Sequence, residues 1–276
     1  MKPHKPSNLV PFSHPGSKKR LASTIVPLLE TIPHTRYVEP FFGAGAVFFA
    51  KAPVAHEVLN DVNGELINLL RQLHAHPEAL IEEIARWPHS RDLFKLLKSE
   101  TGGTELQRAA RWWRIKQGSF GGKAEHFGRQ AQSPLVGDRR KLKARFNAVR
   151  QRLTQGTVTL EAQDYRKILE FYDGPEALFY FDPPYIDVAD VGYAPWRLPE
   201  LAELARLINR LEGGWFLSIN DRADIRALFK DCQIMPLSHR YTLCQRHTPG
   251  GKEVTELLIA SPGMALGGVT KGLQAA

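Results

Sequence analysis

The sequence predicts an α/β protein whose largely parallel sheet is interrupted by a helical insertion. Three observations carry this. A short β-rich run at 36–40 feeds a glycine turn and a helix, and a second strand then ends in an acid, the order of a nucleotide-binding half-fold. The stretch 77–153 has helical spacing and no convincing strand. Finally, the apolar run Leu178-Phe179-Tyr180-Phe181 ends in Asp182-Pro183-Pro184-Tyr185, a strand delivering a stiff loop at its carboxyl end, where open α/β sheets hold their ligands.

The elements follow in order. Residues 12–20 read as a turn and a basic helix start, with Lys18 placed against the helix dipole and so in want of an anionic partner. A strand at 36–40 meets the turn Phe41-Phe42-Gly43-Ala44-Gly45, and a helix begins at Val47. The second strand, 56–59, ends at Asn60-Asp61 before a helix with Leu66, Ile67, Leu69, Leu70 and Leu73 on its apolar side. Helical periods at 80–84, 93–97, 106–115 and 142–153 fill the insertion, broken by the glycine-rich loop 118–123. Strands resume at 157–160, 178–181 and 215–219, the last with a helix on each side. Three further strand candidates lie at 233–235, 239–243 and 253–260, the last two pairing as a hairpin around Pro249-Gly250-Gly251. Residues 1–76, 77–155 and 156–276 thus divide into a ligand-binding half, a basic helical insertion and a second half of the sheet.

Composition narrows the class. The 276 residues have enough apolar mass for a large core and no run approaching the ~20 apolar residues of a membrane span. The basic start lacks the apolar stretch of a secretory signal, and Cys232 and Cys244 match no zinc spacing, which suits reduced thiols in the cytoplasm. Net charge is +8, but its placement matters more. Residues 108–152 hold thirteen Lys or Arg and two acids, a local balance of +11, while the rest of the chain sums to −3. That is the footprint of a polyanionic partner. Candidate phosphate contacts are Lys116, Lys123, Arg129, Arg139, Arg140 and Lys141. Phe120 and Phe127 either wedge into a nucleic acid or line the insertion's apolar seam.

Several residues suit a nucleotide-like ligand. Glycines at 43 and 45 allow close backbone approach. Asp61 is placed to accept from a ribose diol or, alternatively, to cap a helix; Asp164, before Tyr165, faces the same choice between an adenine amino group and a cap. In the Asp182 loop two fixed carbonyls, a carboxylate and an aromatic face together suit a planar amine.

Taken in order, Pro15-Gly16-Ser17-Lys18, Val38-Glu39-Pro40-Phe41-Phe42-Gly43-Ala44-Gly45, Asn60-Asp61 and Asp182-Pro183-Pro184-Tyr185 resemble the DNA adenine-N6 methyltransferase family. The match is to its Dam-like class, whose target-recognition region lies between the cofactor and catalytic motifs. Val254-Thr255-Glu256-Leu257-Leu258-Ile259 resembles that family's late strand. Ser17 departs from the family's frequent second glycine. The resemblance implies a seven-stranded, Rossmann-like methyltransferase sheet binding S-adenosylmethionine. Lys18 would take the methionine carboxylate; Glu39, Pro40, Phe41, Gly43 and Gly45 the methionine end; Asp61 the ribose; Asp164 the adenine; and Asp182 would border the cofactor.

On this reading a flipped adenine stacks on Tyr185, and its amine donates to Asp182 and to the Pro183 carbonyl, with Pro184 stiffening the loop. No metal is expected, and a monomer suffices. Rival readings are N6 methylation of RNA, a catalytically silent nucleic-acid binder, and N4 methylation of cytosine; Asp182 in place of the cytosine enzymes' usual Ser favours adenine.

Overall fold

In the computed structural model, residues 9–128, 138–187, 196–241 and 252–264 are described. The elements are α1 (Ala22–Glu30), β1 (Arg36–Glu39), α2 (Ala46–Ala50), β2 (His56–Asn60), α3 (Gly64–Ala75), α4 (Pro77–Ala85), α5 (Arg91–Ser99), α6 (Glu105–Gly118), α7 (Arg139–Leu153), β3 (Thr157–Glu161), α8 (Tyr165–Tyr172), β4 (Ala177–Phe181), α9 (Leu198–Ile208), β5 (Gly214–Asn220), α10 (Ala223–Leu228), β6 (Gln233–Tyr241) and β7 (Lys252–Ala260). A 3₁₀ turn, Phe120–Gly122, follows α6.

The seven strands order as β3-β2-β1-β4-β5-β7-β6. β1 to β5 run parallel, and β7 inserts antiparallel between β5 and β6. Strand order reverses between β1 and β4, so the crevice for a ligand opens over their carboxyl ends.

Alternation along the strands builds two cores. Tyr37, Leu59, Leu178, Tyr180, Phe216 and Leu258 face α1, α2, α3 and the insertion helices. Val38, Val58, Phe179, Phe181, Leu217 and Ile259 face α8, α9 and α10. β4 is buried at all five positions, which is why it reads as an unbroken apolar run.

The insertion follows α3 and returns through α7 into β3, so it sits inside the β2–β3 crossover. Ile81, Trp113, Phe146 and Leu153 join the same core as α1 and α3. The amino-terminal segment docks on the insertion. Trp113 Nε1 donates to the Pro11 carbonyl at 3.0 Å, Arg145 to the Val10 carbonyl at 3.1 Å, and Phe12 packs edge-on against Trp112.

One expectation needs correction. The candidate at 233–235 and the described part of the next, 239–241, belong to a single strand, β6, and residues 242–243 lie outside the described residues. β6 accommodates Pro236 because, among the described residues, it is an edge strand paired with β7 alone, where a missing N–H can face outward. The proposed hairpin turn at 249–251 lies outside the described residues.

Candidate active site

Three loops at the carboxyl edge of the sheet are tied together before any ligand is considered. Asn60, buried at the end of β2, donates to the Pro40 carbonyl at 2.9 Å and the Gln163 carbonyl at 3.0 Å, and accepts from Gln163 N at 2.9 Å. One amide thereby fixes the loops after β1, β2 and β3.

The glycine turn requires its glycines. Gly43 and Gly45 have φ of 51° and 66°, and a Cβ on Gly45 would overlap the Phe42 ring. Asp61 orders this turn: Oδ2 accepts from Gly43 N at 2.9 Å and Oδ1 from Asn63 N at 2.9 Å. The cap of α3 is Asn63, which leaves Asp61 aimed at the turn instead. Glu39 is buried, with the Tyr37 hydroxyl donating to Oε1 at 2.6 Å. Burial pushes its carboxyl up to about 8, although the Tyr37 bond pulls the other way.

Asp164 follows its helix-capping alternative. Oδ1 accepts from Arg166 N at 2.9 Å, and the half-exposed carboxylate pairs with the Arg166 guanidinium at 2.9 Å. It lies after β3, on the same edge of the sheet.

The Asp182 loop is the densest part of the site. Asp182 is 22% exposed, and its Oδ1 accepts from Lys18 Nζ at 2.6 Å and from Ser218 Oγ at 3.0 Å. Ser218 has one hydroxyl hydrogen, given to Asp182, so Tyr180, 2.8 Å away, must donate to Ser218. A directed chain runs Tyr180 to Ser218 to Asp182. Burial pushes the Asp182 carboxyl up, while Lys18 and Ser218 draw it back toward the ionised form.

Lys18 is 4% exposed. Besides Asp182 it reaches Tyr185 OH at 3.2 Å, the Gly16 carbonyl at 3.3 Å and Glu256 Oε2 at 3.5 Å. Its burial opposes charge, but Asp182, Tyr185 and Glu256 together hold the ammonium well above the ordinary lysine range. The sequence suggests an anionic partner for Lys18 such as a ligand carboxylate; in the structure its anionic partners are the protein's own Asp182 and Glu256. Tyr185 sits with its ring 4.9 Å beneath that ammonium. His14, on the same turn, is buried near Lys116 and Lys18, which together with burial lowers it to about 3, so it is neutral at physiological pH.

Asn60, Tyr180 and Glu256 stand in the motifs quoted from the sequence but were given no role there, and Ser218 was only part of a strand. Their signal is a polar side chain within a buried strand run.

The basic segment divides. Lys123, Arg139, Arg140 and Lys141 are exposed. Arg139 pairs with Glu82, and Lys141 lies 3.4 Å from Asp138, the cap of α7. Lys116 departs from expectation: it is 5% exposed, over the Trp112 ring, in the interior and away from a phosphate's reach. Arg129 lies outside the described residues. Arg114 and Arg152 are also internal, the latter bidentate to Glu57 at 2.6 and 2.7 Å. The two phenylalanines part company. Phe127 stacks on His89 at 4.6 Å within the insertion, whereas Phe120 projects 53% exposed from the glycine loop. That loop packs closely on the amino-terminal turn: a Cβ on Gly122 would come within 2.8 Å of the Ser13 carbonyl.

Among the described residues no cluster of His, Cys, Asp or Glu suits a metal ion, and no helix is long and apolar enough to cross a membrane.

A parallel sheet with an inserted antiparallel strand, a glycine turn after β1, an acid after β2 and an acid-proline loop after β4 form the Rossmann-like arrangement that the resemblance to amino-group methyltransferases leads one to expect. The family model for D12 class N6 adenine-specific DNA methyltransferases matches residues 14–243. The chain belongs to this family and is an S-adenosylmethionine-dependent DNA adenine-N6 methyltransferase. It is 28% identical to the type II methyltransferase M1.LlaDCHI of Lactococcus lactis subsp. cremoris, over 93% of this chain and 96% of that protein. Among solved structures it aligns with the putative methyltransferase yhhF of Escherichia coli at 11% identity, covering 92% of this chain and 90% of that one, with a TM-score of 0.37. It also aligns with SMU.1697c of Streptococcus mutans, a putative methyltransferase solved with SAH, at 12% identity, 85% and 94% coverage and a TM-score of 0.34.

Proposed function

We propose that the chain methylates a flipped adenine in duplex DNA, with Asp182 and the Pro183 carbonyl as acceptors for the two amine hydrogens. The observation that supports this best is Asp182 itself. It stands at the carboxyl end of the central strand, is oriented by Ser218, and accepts an N–H donor from Lys18 at 2.6 Å.

The donor set fits S-adenosylmethionine. Asp61 stands at the end of β2 beside the glycine turn, where a ribose diol would lie, the Gly43–Gly45 turn admits backbone approach where a Cβ would block it, and the Asp182 carboxylate offers a negative charge to a cation, while burial keeps Glu39 protonated. Bound cofactor supplies an electrophilic methyl group on a sulfonium. The protein's residues supply the rest. Asp182 and the Pro183 carbonyl draw the amine lone pair out of conjugation, and Asp182 balances the positive charge as it develops on nitrogen. Tyr185 gives the base a stacking face. Asp164, which caps α8 and pairs with Arg166, would border the cofactor's adenine from its place after β3.

DNA lies across the insertion, with Lys123, Arg140 and Lys141 on phosphates and Phe120 filling the stack where the base has left. The enzyme acts as a monomer in the cytoplasm. Incubation with labelled S-adenosylmethionine and unmethylated DNA or RNA, followed by nucleoside analysis, tests this. The expected product is N6-methyladenine in DNA; label in RNA or in N4-methylcytosine would overturn the substrate assignment.

A further inference from the structure

We infer that Glu256 is a positioning residue for methyl transfer, taking over the Lys18 ammonium when Asp182 engages the target amine. This rests on the role proposed for Asp182. Lys18 is held between two carboxylates, 2.6 Å from Asp182 and 3.5 Å from Glu256, with both lysine and glutamate side chains almost wholly buried. Asp182 Oδ1 already accepts from Lys18 and Ser218. The other oxygen can accept from an incoming amine, but the carboxylate's single negative charge is then shared between that amine, as it becomes positive, and the protein's own ammonium, so the hold on Lys18 weakens. A buried ammonium that loses its counter-ion without a replacement is strongly destabilised. Glu256 is that replacement. β7 runs antiparallel to β5 and pairs Glu256 with Asn220, which brings this side chain to the carboxyl end of β5 beside the Asp182 loop. From 3.5 Å, a shift of about 0.7 Å gives Lys18 a charge-assisted hydrogen bond to Glu256. Tyr185 bridges the two, accepting from Lys18 and hydrogen-bonding Glu256.

The charge count points the same way. Lys18 with Asp182 alone is neutral, whereas Lys18 with both carboxylates leaves one net negative charge to meet the amine as it becomes positive.

A double-mutant cycle in single-turnover methyl transfer tests the inference, with wild type, Glu256→Gln, Lys18→Met and the double variant. Glu256→Gln is expected to slow transfer about tenfold or more while cofactor affinity changes less than about twofold, and Glu256→Asp is expected to recover part of the loss. In the Lys18→Met background the same Glu256→Gln change is expected to cost less than about twofold, because Glu256 acts through the lysine. An equal cost in both backgrounds would overturn the inference. So would a wild-type rate in Glu256→Gln, or a loss matched by lower thermal stability and cofactor affinity. Asp182→Ala, assayed alongside, separates the two claims. Full activity in that variant removes the role of Asp182, whereas an inactive Asp182→Ala with an additive cycle removes only the role of Glu256.

Discussion

Ser218→Ala isolates the orientation of Asp182 from the chemistry of Asp182. The serine is fully buried, donates to Oδ1 at 3.0 Å and accepts from Tyr180 at 2.8 Å. A hydrogen bond to a charged group contributes about 1.5–3 kcal/mol, and about 1.4 kcal/mol is tenfold in rate, so transfer should slow roughly 10- to 150-fold. The Tyr180 hydroxyl loses its acceptor inside the core, which costs about 1–3 kcal/mol of stability. There is also a pH signature. Ser218 draws the Asp182 carboxyl toward its ionised form, so removing it raises that group. If transfer needs the carboxylate, the acid limb of the rate profile moves to higher pH. Single-turnover rates across pH, with cofactor affinity and thermal unfolding measured in parallel, give all three quantities. An unchanged rate, or a slower rate with an unmoved acid limb and equally weakened cofactor binding, would refute the reasoning.

Other expectations follow from separate parts of the molecule. Gly45→Ala forces a Cβ into the Phe42 ring at φ 66°, so calorimetry should find cofactor binding lost, and wild-type affinity would contradict the turn's role. Glu39 is raised from 4.5 to about 8, so the folded state holds a proton that the unfolded chain releases; wild-type stability should fall relative to Glu39→Gln as pH rises from 4.5 to about 8 and flatten above it, as urea unfolding at several pH values would reveal. Lys141→Ala should weaken DNA binding and reduce the slope of log K against log salt by about one unit; an unchanged slope would remove it from the phosphate contacts.

Much of this was legible in the sequence because the sheet is buried on both faces. β4 and β5 read as apolar runs, β1 and β2 as short strands around Tyr37-Val38 and Val58-Leu59, and the turns that end β1, β2 and β4 carry the site. β6 was less legible because Pro236 looks like a breaker until its edge position is known. The site's acids were visible, but what orients them was not. Asn60, Ser218 and Glu256 sit in strands whose apolar neighbours dominate the pattern, and their partners are distant in sequence. Charge density overstated the DNA-facing surface, since Lys116, Arg114 and Arg152 spend their charge or hydrogen bonds inside the fold. Residue type alone likewise could not separate Phe127, which packs on His89, from Phe120, which faces solvent, because both lie in the irregular segment after α6.

The central claim is that Asp182 holds the target amine on an otherwise intact cofactor site. The most direct measurement compares wild type and Asp182→Ala for label transferred from S-adenosylmethionine to unmethylated genomic DNA, with cofactor binding followed by calorimetry. The expected result is N6-methyladenine from wild type, none from the variant, and cofactor affinity nearly equal in both. Label retained in the variant, or methylation and cofactor binding lost together, would contradict it.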